Sequence, residues 1–534
     1  MNNKPILFLF AAFVLLQIGG KAQSTWNQLY SSNYQMLNMH INATADSGLI
    51  IASVAKSSHR SLVVTKIDAE GSIEWNSVWK NPEINGLVVA EDVLIMPDGG
   101  SVIACTGSED DTYYSVCKGL LVRLDPNGDT LWTTTVGTRY SSTIVRDIFH
   151  CANGDFLVSG SNTYNAGISS KAYLARIDST GQFLWANVYN LNEKGRFWRG
   201  IETSTGDIVL FSEITAPSVK SLVWKMDANG NVLWRKEYDE LRVARMGDLI
   251  EGNDGNYILC GAGHAGDYVF DMTVFAVDPN GNLVWHKVYE RDYDFSLESV
   301  GIRKDDGNGY FVTHRAAGYY GHPEGDVGAI HMDSVGNVLD ARRFVPQNNP
   351  GYEPLAFDFA RGPQGALFMV GTFCGLSLNC PWFVFKTDPQ MRIWCSDTAF
   401  VPTTHDAIPS WVNGDPVDVI PWGTRWRYPL VRDTLSVTLT PLCTAVGEPE
   451  PVIPEALAMT VFPNPGNGLI HFQVEGSRGK GEIRIFALDG REVTRFALNR
   501  QKTSWSADVK AGTYLAMYFQ EGSPLLTRRL VVLD

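Results

Sequence analysis

The sequence predicts an all-β chain: a seven-bladed β-propeller followed by a small C-terminal Ig-like β-sandwich. Three observations predict it. A turn-and-strand motif recurs seven times at an average spacing of about 53 residues. The composition is that of short strands and tight turns, with 50 Gly in 534 residues, 11% aromatic and 19% charged, against a usual charged share of about 25%. A Pro-rich stretch then gives way, about 75 residues from the end, to renewed strand-like alternation.

The chain opens "MNNKPILFLFAAFVLLQIGGKAQS". Lys4 is a lone basic residue, and the apolar run from Ile6 to Ile18 is too short for ~30 Å of hydrocarbon. Gly20-Lys21-Ala22 ends in small residues, so 1–22 reads as a secretory signal peptide cut after Ala22; an uncleaved anchor is the alternative. No later segment approaches about 18 apolar residues, so no transmembrane segment is expected after signal removal. A net charge of −14 with no Lys/Arg run excludes nucleic-acid binding, which needs a basic face.

Eight cysteines in an exported chain permit disulfides. Cys105/Cys117 and Cys374/Cys380 flank short loops and suit hairpin bridges, Cys395/Cys443 is a longer staple, and Cys151 and Cys260 are left over. No C-x-x-C occurs, which excludes redox and zinc-ribbon chemistry.

The repeat reads "KIDAEGSIEW", "RLDPNGDTLW", "RIDSTGQFLW", "KMDANGNVLW" and "AVDPNGNLVW", then the worn "HMDSVGNVLD" and "KTDPQMRIWC", led by Asp68, Asp125, Asp178, Asp227, Asp278, Asp333 and Asp388. A second turn precedes each copy, as in "PDGGSVIACTG" and "ANGDFLVSGSN". An Asp side chain can bond backbone two residues on and Gly is free to take φ > 0, so both motifs are turns between strands. Four strands per repeat is a propeller blade, and a lone four-stranded sheet must stack to bury its faces. The propeller spans 23–400. "TWNQLY" at the mature N-terminus matches the outer strands "LWANVY", "LWRKEY" and "VWHKVY", so Trp26 is expected to complete the last blade. The competing reading seats "RIWCSDTAF" there. Trp75, Trp132, Trp185, Trp234 and Trp285 recur once per blade, as inter-blade packing requires, rather than as a ligand platform. Calcium is disfavoured at the turns because Gly is the fourth residue counting the Asp as the first, as in Asp125-Pro-Asn-Gly128, not the sixth as in EF-type loops. No cofactor is predicted.

Strand direction alternates within a blade, so the repeated turns share one face of the disc and the variable connections share the other. Function is expected on the variable face. Its candidates are Tyr113, Tyr114, Arg139, Tyr164, Trp198, Arg199, His264, Tyr268, Tyr293, Tyr319, Tyr320 and His322. Counting seven residues back from the first turn's Gly lands on Asp92, Asp147, Asp248 and Asp358, with Arg199 as the exception. These acids are expected at the start of the innermost strands near the channel mouth. They either bond the backbone of a neighbouring blade or form an acidic ring that attracts a cation or amine.

Catalytic constellations are thin: no HExxH, GxSxG or P-loop occurs. The D-x-x-G-x-x-x-W turn resembles the tryptophan-docking motif of quinoprotein dehydrogenases but is one residue shorter, and it differs from the sialidase box. Both are packing turns and carry no activity over.

Residues 401–457 form a Pro-rich extension and linker. "PSWVNGDPVDVIPWGTRWRYPL" and "DTLSVTLTPLC" are expected against the propeller with one strand in the Val/Thr alternation, and "GEPEPVIPEA" as extended linker. Residues 458–534 read as the sandwich: Pro463 and Pro465 fix the opening turn with Asn464 and Gly468, and Gly490 and Gly512 punctuate the strands. The blocks "FPNPGNG", "IRIFALDGREV", "DVKAGTYLAMYFQEG" and "RRLVVLD" resemble the type A C-terminal sorting domains of the type IX (Por) secretion system of Bacteroidetes. That resemblance implies the secretion machinery as partner, passage of the outer membrane and removal of the domain, often with attachment to surface lipopolysaccharide. The family often ends on a basic residue, whereas this chain ends Leu533-Asp534.

The expected function is that of a secreted or surface-attached propeller binding an extracellular polysaccharide or protein without catalysis. A secreted hydrolase or lyase working on the variable face, and a structural adhesion component, are the rival readings.

Overall fold

The structure is a computed structural model. It describes residues 25–32, 34–56, 60–80, 88–108, 117–137, 141–164, 169–190, 195–214, 220–238, 247–264, 270–290, 295–318, 326–344, 354–373, 381–393, 397–399, 403–406, 411–413, 418–421, 431–433, 437–441, 458–462, 469–475, 481–487, 491–498, 502–506, 509–520 and 523–532. Two compact units divide the chain, Met1–Cys443 and Thr444–Asp534.

The first unit is the propeller. The inner strands of blades 1 to 7 are Gln35–Ala43, Val88–Ile95, Ser142–His150, Gly195–Glu202, Asp248–Glu251, Phe295–Lys304 and Pro354–Arg361. Each leads an antiparallel meander outward to Ile73–Lys80, Thr130–Val136, Phe183–Asn190, Val232–Tyr238, Leu283–Glu290, Val338–Phe344 and, for blade 7, the N-terminal strand Trp26–Ser32. Inner strands of consecutive blades touch in cyclic order, and that of blade 7 touches that of blade 1. Trp26 to Tyr30 pair with Lys386 to Trp382, so the N-terminus closes the ring as expected. "RIWCSDTAF" does not take that place: its Asp397–Ala399 pairs with blade 6.

The core lies between blades. One buried cluster joins Ile50, Val64 and Trp79 of blade 1 to Val88, Val93 and Leu120 of blade 2. Another joins Leu174 and Tyr189 of blade 3 to Phe197 and Trp224 of blade 4. At the repeated turn, the Asp carboxylate accepts two backbone N–H groups, as Asp227 does from Asn229 and Asn231 at 2.9 Å each. All seven Asp turns are built this way. The turn's Gly is where the next blade is gripped. Tyr30, Tyr189, Tyr238 and Tyr289 donate their hydroxyls to the carbonyls of Gly71, Gly230, Gly281 and Gly336 at 2.5–2.8 Å. Trp26, Trp75 and Trp234 donate their indole N–H to carbonyls of the same neighbouring turns. Gly230 has φ +81°, and a Cβ there would lie 2.8 Å from the Tyr189 hydroxyl, so no other residue fits.

The extension beyond blade 7 carries six short strands where the sequence suggested one. They run backwards around the rim. Asp397–Ala399 pairs with blade 6, Thr403–Asp406 with blade 5, Trp411–Asn413 with blade 4 and Asp418–Pro421 with blade 3. Val431–Asp433 then pairs with blade 1 and Val437–Pro441 with the N-terminal strand of blade 7. The strands start 6, 8, 7, 13 and 6 residues apart, and the long step is the one that passes blade 2. This belt gives six outermost strands a partner, and it leaves Trp26–Ser32 inside its sheet rather than at the edge.

The expected Cys105–Cys117 bridge is absent. Cys105 faces Leu120 and Cys117 faces Ser108 across the hairpin, three register positions apart. At about 3.3 Å per residue, that separation exceeds the reach of a disulfide. Cys151 and Cys260 are buried free thiols. Cys374, Cys380, Cys395 and Cys443 lie outside the described residues.

The second unit is a sandwich of two sheets. Ala458–Phe462, Leu469–Glu475 and Lys502–Ser506 form one, and Glu492–Leu498, Gly481–Ala487, Gly512–Gln520 and Ser523–Val532 form the other. Ile470, Phe472 and Val474 meet Ile483, Ile485, Ala516 and Tyr518 between them.

Trp26 is only partly buried, whereas Tyr30 of the same strand is 0% exposed and stacked 4.0 Å from Trp382. Tyr30→Ala should cost about 3–5 kcal/mol and Trp26→Ala roughly half that, read by urea unfolding of the propeller's fluorescence; equal losses would contradict the packing. A chain ending after residue 396 should melt lower and self-associate compared with one ending after residue 443, because its outer edges are bare. Identical melting and elution would remove that role from the belt.

Candidate functional site

A β-bulge interrupts the inner strand in blades 1, 2, 3, 4, 6 and 7. The residue just after it pairs with the one twelve positions on: His40 with Ala52, Asp92 with Ala104, Asp147 with Ser159, Arg199 with Phe211, Gly301 with Thr313 and Asp358 with Val370. Asp248, which opens its strand, pairs likewise with Cys260. One position per blade therefore forms a ring around the axis. It lies midway along most inner strands rather than at their start. All four expected acids are in it with Arg199, and His40 and Gly301 join them.

The acids tie blade to blade. Asp92 accepts the Ile148 N–H at 3.3 Å, Asp147 that of Gly200 at 2.7 Å, Asp248 that of Ile302 at 3.0 Å and Asp358 that of Ile41 at 3.0 Å, each donor belonging to the next blade. The first of the two expectations for these residues therefore holds. Arg199 donates to Asp147 at 3.3 Å and to the Arg146 carbonyl at 3.0 Å. Arg303 donates to Asp248 at 2.5 Å, and a Cβ at Gly301 would stand 2.9 Å from the Phe359 ring and 3.0 Å from Asp248 Oδ2.

Bulges re-aim side chains. The residues directly before the ring position, Glu91, Arg146, Trp198, Gly247, Val300 and Phe357, line a cavity of about 570 Å³ together with Asn38, His40, Arg196, Arg199 and Arg315. Its wall carries four arginines and two aromatics, Trp198 and Phe357. The Arg146 and Arg196 guanidinium carbons lie 5.3 and 5.0 Å from the Trp198 ring centre. Arg146 pairs with Glu91 at 2.9 Å, and Arg315 with Glu298 at 2.6 Å.

Burial dominates the electrostatics. It pushes Asp358 up to about 6 against the pull of Arg303, and Asp147 well above the carboxylate range with Asp92 adding to it. Burial likewise raises Glu91 despite Arg146. It lowers His40 from 6.5 to about 4, Asp92 opposing and Arg199 assisting. Burial works against the Arg199 charge, yet Asp147, Asp92, Asp248 and Asp358 together raise its pKa. His40, Asp92 and Asp358 are also the residues that could hold an ion, with one donor atom from each lying within 4.8 Å of the others.

Of the loop candidates, Trp198 and Arg199 meet in the cavity, both from blade 4. Tyr164 and His264 end strands of blades 3 and 5. Tyr113, Tyr114, Arg139, Tyr268, Tyr293, Tyr319, Tyr320 and His322 lie outside the described residues, as do Pro463, Asn464, Pro465, Gly468 and Gly490. Gly512 opens its strand. Sequence reasoning missed His40 because Ser47, with φ +69°, replaces the turn Gly that serves as the counting mark, and missed Gly301 because Asn308 does. The twelve-residue register would have found both.

Residues 460–533 match the secretion system C-terminal sorting domain family. That tail marks the chain for type IX secretion and attachment at the cell surface, the tail being removed. Among the described residues no helix is long and apolar enough to cross a membrane. No curated protein matches the chain. Three solved structures are similar in part. A Dyadobacter fermentans protein of unknown function is 12% identical, covering 57% of this chain and 97% of its own, with TM-score 0.42. A Bacteroides caccae protein of unknown function is 12% identical, covering 53% and 90%, with TM-score 0.33. PorZ, an essential surface component of the type-IX secretion system of Porphyromonas gingivalis, is 10% identical, covering 93% and 74%, with TM-score 0.26. Scores at this level carry no argument about function.

The two shifts at the axis oppose one another. Asp358, raised in the fold, contributes stability below its unfolded value of about 3.9 that is lost as pH rises through about 6. His40, lowered in the fold, contributes stability that is lost as pH falls from its unfolded 6.5 through about 4. In chelator-treated protein, the melting-temperature gap between wild type and His40→Gln should therefore widen in favour of wild type as pH rises from about 4 to 6.5. A gap independent of pH would show that His40 is not held neutral.

Proposed function

We propose that the protein is a cell-surface binding propeller that holds an extracellular polysaccharide or protein ligand in the cavity at the axis, without catalysis. The observation that supports this reading is the wall of the cavity, where Trp198 stands beside Arg146 and Arg196, with Arg199 and Arg315 close by. A volume of about 570 Å³ falls in the roughly 300–1,000 Å³ range of small-ligand sites. It suits an end group or side chain of a polymer rather than the polymer's length. Guanidinium groups present forked donors matched to carboxylate and sulfate, and Arg146, Arg199 and Arg315 each have more donors than the acidic partner takes up. The expected ligand is therefore anionic, such as a uronic acid residue or an acidic peptide end.

The purified full chain should show a saturable rise in melting temperature with polyuronates or acidic peptides and none with neutral glucans. Arg196→Gln should reduce the rise severalfold. Equal responses to neutral and acidic polymers, or a rise unaffected by Arg196→Gln, would move the ligand off this cavity. No response to either class would leave the structural adhesion reading in its place.

A further inference from the structure

We propose that the ring beside the axial cavity holds a site for one divalent transition ion, Mn²⁺ or Zn²⁺, formed by His40, Asp92 and Asp358. One imidazole nitrogen and one oxygen from each carboxylate lie within 4.8 Å of one another. Ligands about 2.0–2.2 Å from an ion stand at most about 4.4 Å apart, so the cluster closes on an ion with shifts of a few tenths of an ångström. It is the one such cluster among the described residues. A mixed nitrogen and oxygen donor set favours a borderline ion over Ca²⁺ or Mg²⁺, which prefer oxygen alone.

Two further observations point to a cation. Nδ1 of His40 is buried without a hydrogen-bond partner, and Asp358 Oδ2 stands 3.9 Å away, beyond hydrogen-bond reach. A buried polar atom in that position calls for a partner. The charges also fail to balance. Glu91 is met by Arg146 and Asp248 by Arg303, which also stands 4.0 Å from Asp358, while Asp92, Asp147 and Asp358 all act on Arg199. Five acids thus face three guanidinium groups across the inner strands, and a cation beside Asp92 and Asp358 would favour their ionised forms.

The backbone bonds of the acids do not exclude the ion. Asp92 and Asp358 accept N–H groups, and each carboxylate oxygen keeps a second lone pair. His40 lines the open cavity, which supplies a route inward. The three residues come from blades 1, 2 and 7, so the ion would bridge the first and last blades at the inner wall. The site is independent of what the cavity wall binds.

The test is Mn²⁺ titration of the full chain after EDTA treatment, followed by loss of the free-ion electron paramagnetic resonance signal. One Mn²⁺ per chain is expected, displaced by Zn²⁺, with affinity falling about tenfold or more in His40→Gln. Pulsed spectra of the wild-type complex should carry ¹⁴N coupling from a single imidazole, a readout that holds even if the variant fails to fold. Absence of binding at millimolar Mn²⁺, or bound Mn²⁺ without ¹⁴N coupling, overturns the proposal. So does undiminished binding by folded His40→Gln.

Discussion

The bond from an outer-strand Tyr to the carbonyl of the next blade's turn Gly is the constraint on which the rest of the propeller depends. A four-stranded sheet with two apolar faces has no stable place in water, so it must stack, and stacking into a ring requires a fixed angle at every step. Two contacts fix that angle. At the rim, Tyr189 holds Gly230 and Tyr238 holds Gly281. At the axis, Asp147 holds Gly200 and Asp248 holds Ile302. The rim contact works because the turn is rigid before it is gripped: the leading Asp carboxylate fixes the loop and the Gly leaves the carbonyl open to the approaching ring. Where Tyr is missing, other donors serve the same turn. Thr134 of blade 2 reaches the Gly181 carbonyl at 2.6 Å, and Trp75 of blade 1 reaches the Pro126 carbonyl at 3.1 Å.

Closing the ring leaves the outer edges, and the belt answers them. Each outermost strand presents unpaired backbone groups, a template for pairing with another chain. Strands of three to five residues are too short to be stable by themselves, so they exist only on edges already formed. The belt therefore follows the ring in the logic of assembly as it does in the chain. Its last strand lies beside Trp26–Ser32, which makes the two ends of the propeller unit neighbours in one sheet.

How much of this was legible depended on whether a feature repeats. The turns, blades and outer Trp and Tyr recur at a fixed spacing, and the N-terminal "TWNQLY" announced ring closure because it copies them. Of the belt, only the strand in the Val/Thr alternation, Val437–Pro441, was legible: the other segments share no motif, and each pairs with a residue far away, as Trp411 does with Tyr238. The expected Cys105–Cys117 bridge failed for a related reason. Proximity in sequence said nothing of register, and the register sets the two thiols apart. At the axis the acids were found by counting from a Gly, so the blades where Ser47 and Asn308 stand instead hid His40 and Gly301. The loops that carry most of the candidate aromatics are the variable ones, for which a repeat offers no template.

The ring position shows where a repeat protein departs from its own rule, and the departures are what make the axis chemical. Seven aspartates there would serve seven equivalent backbone clasps and repel one another. The chain keeps four, and the other three blades carry His40, Arg199 and Gly301. Arg199 supplies the charge that lets Asp147 stay buried beside Asp92. Gly301 leaves room for the Phe359 ring and the Asp248 carboxylate, which a Cβ there would crowd. His40 adds no charge, because burial keeps its imidazole neutral. It supplies instead a nitrogen donor among oxygens, on the side of the ring where negative charge is left over. Two of the departures satisfy the scaffold. The third does not, and a neutral imidazole facing surplus carboxylates is the arrangement that a cation, and not the fold, requires.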